Sequence, residues 1–299
     1  MENVKSIRCD PDYYTKAFKI VTDKCNMYEF LGKWIQSEFP RLVLDKLAGS
    51  FSAETPINML GVGSGSGETD SKLATCIKTR FRSVRNVVVE PAEKMLDIYR
   101  GLIDGNKSNF EGIEFDLRQL GIDEYRAQEG DHPTKYHFIS TIQSLYYAAD
   151  FEDTIRYLYD CLEEGGIMLI IIVSDTCGSW RLWNRFPLIM ETSTGSFFCA
   201  SDVRQCLSSQ GIHFEENHQG FNLDITSCFE EGSEEGGLLL DFITEIIDFR
   251  GSVSPDFLKE VMEYMGSDQC SERKEDGTVF FNKNWDALVV QKPLVAQSG

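Results

Sequence analysis

Residues 57–70 read INMLGVGSGSGETD, an apolar run closed by glycines and followed by an acidic stretch. Gly63, Gly65 and Gly67 alternate directly after the run. The backbone there must turn sharply and let a ligand come close at a helix N-terminus, where a Cβ would be costly. A phosphate-binding P-loop needs Lys and Ser/Thr after the last glycine, but Glu68 and Thr69 stand there; the dinucleotide fingerprint GxGxxG needs Gly or Ala at position 68. The Glu68 charge also opposes a pyrophosphate. What remains is GxGxG with an acid, Glu90, closing the next apolar run NVVVE (86–90). An acid at that strand end can accept both hydroxyls of a ribose.

Outward from this loop the pattern is regular. Strands are expected over 57–62, 86–90, 112–117, 136–142 and 167–173, with helices over 68–81, 92–103 and 150–166 between them. IMLIIIV (167–173) reads as a strand buried on both faces, so the alternation predicts an α/β, doubly wound, mostly parallel sheet. A helix over 201–211, a short strand from 212 and a final strand in NWDALVVQK (284–292) follow. The rhythm breaks in SDTCGSWRLWNRFPLIMETSTGSFF and in the aromatic DYYTKAF near the start, which look like site-covering material. One domain over 1–299 is expected, with 1–50 and 175–250 contributing substrate-covering elements.

Composition narrows the function. Formal charge is −19, from 48 acidic and 29 basic residues, and the basic residues do not cluster. This argues against a nucleic-acid partner and favours a small neutral or cationic one. Nine cysteines never stand at CxxC spacing and no two of the four histidines lie at i, i+4, so no metal site is expected. The longest apolar run, 167–173, is far short of the roughly 20 residues that span a bilayer. The N-terminal residues lack signal and transit patterns, so a cytoplasmic protein, expected to be a monomer, is the reading.

Strand, GxGxG loop, second strand and terminal acid together resemble the S-adenosylmethionine site of class I methyltransferases, and EPAEKM (90–95) resembles that family's segment after the second strand. The resemblance implies a Rossmann-like seven-stranded sheet, with the cofactor on Gly63, Gly65, Gly67, Glu90, Met95 and Ile142. One departure is Gly61, which stands where the superfamily often carries an acid, so contacts to the methionine moiety are expected to come from elsewhere. At the fourth strand, FISTIQSLYYAAD (138–150) lacks the Asn/Asp-Pro-Pro-aromatic motif of DNA amino-methyltransferases. Its Ile142, Gln143 and Tyr146–Tyr147 resemble the histamine N-methyltransferase family instead. The resemblance runs along nearly the whole chain through LGVGSGSGE, VVEPAE, IQSLYY, MLIIIVS, SWRLW, ITSCF, LLLDFITE and VFFNKNW.

By that resemblance the substrate pocket is lined by Tyr14, Phe18, Gln143, Tyr146, Tyr147, Trp183, Phe198 and Phe242. Asp23 matches the family's ammonium-binding glutamate across a shortened segment, and Gln143 and Asp23 carry the catalytic roles. Methyl transfer from a sulfonium is an in-line displacement, so the enzyme chiefly orients a lone pair in a dry site. Aromatic faces favour the cationic cofactor and an ammonium tail, and neutral imidazole already offers a free lone pair near pH 7. Gln143 then fixes which ring nitrogen faces the methyl. Lys283 departs from the family, which has an asparagine near the substrate there, and Trp180 is displaced by one position from the family's first pocket tryptophan. The resemblance implies an S-adenosylmethionine-dependent N-methyltransferase of a small imidazole amine. Two alternatives stand beside it: a carboxylate-bearing imidazole of the carnosine or histidine type as substrate, with Asn282 or Asn284 taking the contact if Lys283 points to solvent, and a catalytically silent binding protein.

Overall fold

Ten strands run along the chain in a computed structural model that describes residues 4–25, 27–192 and 198–294. They are β1 (Pro56–Val62), β2 (Ser83–Val89), β3 (Ile113–Arg118), β4 (Tyr136–Ile142), β5 (Leu162–Val173), β6 (Phe214–Gln219), β7 (Asn222–Asp224), β8 (Ser271–Arg273), β9 (Val279–Asn282) and β10 (Trp285–Gln291). Seven form one sheet in the order β3-β2-β1-β4-β5-β10-β6, and β1 pairs in parallel with both β2 and β4. The strand order therefore reverses between β1 and β4. In such sheets ligands bind beyond the carboxyl ends of the strands at this point, where Val62 and Ile142 end β1 and β4.

The inner strands are buried on both faces because helices cover both sides of the sheet. Ile167–Ile172 in β5, Val87–Val89 in β2 and Phe138–Ile139 in β4 are essentially inaccessible. The helix expected over 150–166 is shorter, Phe151–Asp160, capped by the Asp150 carboxylate on the amides of Glu152 and Asp153. β5 already begins at Leu162. The register slips between Tyr136 opposite Leu162 and Phe138 opposite Ile167, a bulge that Gly165 accommodates with φ +79°. A Cβ on Gly166 would also come within 3.0 Å of the Tyr136 carbonyl oxygen.

The chain divides into two compact units where the sequence reading expects one domain with insertions: Tyr28–Ile172, Val203–Asn217 and Ala287–Gly299 hold the main sheet, and Met1–Met27, Val173–Asp202 and His218–Asp286 form the second. Residues 28–50, expected to cover substrate, belong largely to the sheet unit. Trp34 is buried and donates to Asn217 Oδ1, and Phe39 packs edge-on against Phe138. Residues 251–286 join the second unit instead. Its core gathers around the helix Glu234–Thr244, with Leu239, Leu240, Ile243, Phe249 and Phe281 buried, beside an antiparallel sheet β7-β9-β8. The N-terminal segment is tied to the end of that helix. The Ile7 amide donates to the Glu245 carbonyl, the Arg8 Nε and Nη2 donate side by side to the two oxygens of the Glu245 carboxylate, and the Tyr13 hydroxyl donates to Asp241 at 2.6 Å.

Candidate active site

Within the sheet unit the glycine loop leaves β1 and enters the helix Glu68–Lys78. Gly63, Gly65 and Gly67 all have positive φ (64°, 56° and 85°), a conformation that glycine adopts without penalty. Their reasons for being glycine differ. A Cβ on Gly63 would lie 2.4 Å from Ser144 Cβ, and one on Gly67 2.3 Å from the Tyr99 ring, whereas a Cβ on Gly65 would meet nothing within 4 Å. Gly63 and Gly67 thus serve packing, and Gly65 is the point of the loop open to an approaching molecule.

Glu90 stands beside this opening, 7% exposed. Its Oε2 accepts from the Gly65 amide and its Oε1 from the Ala92 amide, each at 2.9 Å. The carboxylate clamps the loop to the turn after β2. A carboxylate has about four lone-pair positions, and these bonds leave one on each oxygen for a ligand hydroxyl. Met95 follows half-buried in the helix Glu93–Gly105, and Ile142 ends β4 half-buried. An open Gly65, a glycine loop at a helix N-terminus and a two-oxygen acceptor fit a nucleoside-bearing cofactor.

Next along β4 the chain turns at Gln143, a non-glycine residue with φ +52°. Strain of this kind collects at functional sites when its surroundings enforce it. The Gln143 amide donates to the Ile171 carbonyl, the Ser144 hydroxyl donates to the Val62 carbonyl at 2.7 Å, and the Tyr146 hydroxyl donates to Gln143 Oε1 at 2.8 Å. The turn is thereby fastened to β1 and β5, and the Gln143 amide is oriented. Tyr147 in the same turn is 62% exposed.

In the second unit Tyr14 and Phe18 stack one helical turn apart in Pro11–Cys25, with centroids 5.8 Å apart. Each lies 5.8 Å from Phe242 of the helix Glu234–Thr244. Trp183 joins them on that helix by donating its indole N–H to the Ile243 carbonyl at 2.8 Å. Phe198 is buried just before the helix Ala200–Ser209. Four of the expected pocket aromatics are therefore assembled.

Asp23 is not with them. On a helix turning 100° per residue it lies on the side opposite Tyr14. It is 62% exposed and paired with Lys19 at 2.6 Å. The straight run of the helix to Cys25 puts it there. Lys283 is half-buried and its Nζ donates to Ser179 Oγ at 3.2 Å; Ser179 is 1% exposed in the helix Gly178–Arg185 and lies one turn before Trp183 on the same face. Among the described residues no carboxylate pairs with Lys283. Asn284 is committed to the fold, donating to Thr176 Oγ1 and accepting from the Phe221 amide. Ser144, Tyr99 and Asp70 also meet this loop and lie outside the set expected from the sequence. Asp70 had a signal, an acid three positions after the last glycine in a loop whose strand lacks one.

A sheet reversing between β1 and β4, with a glycine loop and an acid at its carboxyl edge, defines a class I methyltransferase. A methyltransferase-domain family matches residues 32–216. Histamine N-methyltransferase B of Xenopus laevis is 31% identical, covering 96% of this chain and 98% of its own. Carnosine N-methyltransferase 2 of Gallus gallus is 30% identical over 93% of this chain and 86% of its own. The crystal structure of the plantazolicin methyltransferase BpumL shares the fold with a TM-score of 0.51 and 12% identity, covering 95% of this chain and 92% of that one. The chain belongs to the histamine N-methyltransferase family and is an S-adenosylmethionine-dependent methyltransferase.

Proposed function

We propose that the protein transfers a methyl group from S-adenosylmethionine to a ring nitrogen of a small imidazole amine. The observation that carries this reading is Gln143, held at a strained turn beside the glycine loop with Tyr146 donating to its Oε1. The second lone pair of that oxygen can accept the N–H of a neutral imidazole, which leaves the opposite nitrogen's lone pair for the methyl. When bound, the cofactor supplies an electrophilic methyl on a sulfonium. In the second unit the aromatic group of Tyr14, Phe18, Phe242 and Trp183 presents ring faces of the kind that attract an alkylammonium. Methylation of a neutral imidazole leaves an imidazolium, whose N–H proton would pass from the Gln143 Oε1 contact to solvent.

Lys283 favours a second reading, in which the imidazole also carries a carboxylate. A half-buried lysine with no carboxylate partner among the described residues suits an anion and disfavours a diamine. The relative from Gallus gallus is named for carnosine, which is such a molecule. Incubation with methyl-labelled S-adenosylmethionine and a panel of histamine, carnosine, histidine and aryl-alkyl amines tests both readings. Transfer to none of them, with the cofactor bound, would leave a silent binding protein. A monomer in the cytosol completes the proposal; among the described residues no disulfide joins the nine cysteines, as suits a reducing compartment. Sedimentation and cell fractionation test that part.

A further inference from the structure

Gly61 in β1 stands where the sequence reading misses an acid, yet the space beside it is filled. A Cβ built on Gly61 would lie 2.3 Å from Asp70 Oδ1 and 2.4 Å from Ser64 Oγ. The carboxylate of a residue in the helix Glu68–Lys78 thus occupies the volume that a side chain on the strand would take. Asp70 is 4% exposed. Its Oδ2 accepts from Asn86 Nδ2 at 2.5 Å and from the Tyr99 hydroxyl at 2.7 Å, while Oδ1 is turned toward Gly61 and the loop.

Among the described residues Asp70 has no basic partner. Burial raises its carboxyl pKa, and the bonds from Tyr99 and Asn86 act against that rise. A buried acid without a counter-ion is costly, and this one is kept directly behind a ligand-binding loop. The neighbouring acids are otherwise engaged: Glu90 clamps Gly65 and Ala92, and Glu68 accepts from Ser66. Asn86 and the Tyr99 ring that backs Gly67 hold the outer oxygen, so the inner one is aimed by groups from two further elements.

We propose that Asp70 receives the ammonium of the cofactor's amino-acid tail, the carboxylate being supplied from the helix after the glycine loop in place of an acid on β1. This rests on the reading of the chain as an S-adenosylmethionine enzyme. The inner oxygen gains the cation it lacks, and Asn86 and Tyr99 position it without touching the ligand.

The test compares two ligands by calorimetry. S-adenosylhomocysteine carries the ammonium tail and a neutral sulfur; 5′-methylthioadenosine carries the nucleoside and a thioether without the tail. Asp70→Asn keeps the shape and is expected to weaken S-adenosylhomocysteine about tenfold to hundredfold, leaving 5′-methylthioadenosine within about twofold. Equal weakening of both ligands would make Asp70 a support of the loop alone and overturn the proposal, as would no change in either. The exchange variant Gly61→Asp with Asp70→Ser returns a carboxylate to the same space from the strand. It is expected to bind S-adenosylhomocysteine within about fivefold of the parent, and a folded exchange variant that binds only 5′-methylthioadenosine at parental strength overturns the proposal even if Asp70→Asn fails to fold. Parental protein that binds neither ligand would instead refute the cofactor reading on which the proposal rests.

Discussion

Replacing Glu90 by Gln changes little in shape and much in hydrogen bonding. The carboxylate satisfies two amides at once, Gly65 through Oε2 and Ala92 through Oε1, in a site 7% exposed. A glutamine can accept one of them, and its Nε2 then faces the other donor to donor. A hydrogen bond to a charged group contributes about 1.5–3 kcal/mol, and a buried amide left unsatisfied costs about 1–3 kcal/mol. Part of this loss falls on the folded loop itself, and part on the ligand hydroxyls that would use the remaining lone pairs. Glu90→Gln is therefore expected to weaken S-adenosylhomocysteine about tenfold to hundredfold, about 1.4–2.8 kcal/mol, and to lower the melting temperature of the ligand-free protein. Calorimetric titration and scanning calorimetry on the same samples read the two parts separately. Parental affinity in the variant would refute the role of Glu90 at the site, and lost affinity with an unchanged melting temperature would refute its role as a clamp.

Gln143→Ala should lower turnover far more than cofactor affinity, and Tyr146→Phe should give a milder loss of the same kind, about tenfold in kcat/KM; initial rates with labelled cofactor check both. Lys283→Asn should shift the efficiency ratio of histamine to carnosine toward histamine by about tenfold to hundredfold at matched ionic strength, and a ratio that stays still places the ammonium outside the substrate's reach. Asp23→Asn should leave KM for amines within about twofold, because an exposed i, i+4 ion pair contributes only about 0.3–0.5 kcal/mol to its helix; a large rise in KM would return Asp23 to the pocket. Burial raises Asp70's carboxyl pKa, so the folded state prefers the protonated acid and loses that stability as pH climbs above the ordinary value of 3.8. Asp70→Asn is thus expected to raise the ligand-free melting temperature at pH 7 more than at pH 4, opposite in sign to its effect on ligand binding.

The sheet was legible because buried strands and covered helices leave short apolar and periodic runs. Strand 136–142 matches β4 residue for residue, and Glu90 and the three glycines were marked by spacing alone. Helix 150–166 was read too long because its last residues keep an amphipathic pattern, while the Gly165–Gly166 bulge that starts β5 depends on pairing with β4. The second unit was less legible because its core is assembled from three distant segments, so the pattern in each shows only half of a packed face. Tyr14, Phe18 and Phe242 came from the family resemblance, and the face that unites them came from helix geometry. The same geometry moved Asp23 away, since a shortened segment changes a residue's rotational phase while leaving its alignment plausible. Asp70 carries no such mark because the motif assigns the acid to a strand, and only the fold brings a side chain from a helix into the same space.

The ties that hold the first helix have a consequence for how the protein is made. Tyr13 waits for Asp241 and Arg8 for Glu245, partners 228 and 237 residues further along the chain. At ribosomal speeds of about 5–20 residues per second, the N-terminal aromatic residues emerge roughly 10–50 seconds before anything exists to cover them. The sheet unit can acquire most of its strands in that interval, but Tyr14 and Phe18 stay exposed until nearly the end of synthesis. Nascent chains should therefore engage chaperones through the first twenty-five residues, and release from them should coincide with the appearance of the helix Glu234–Thr244 outside the exit tunnel.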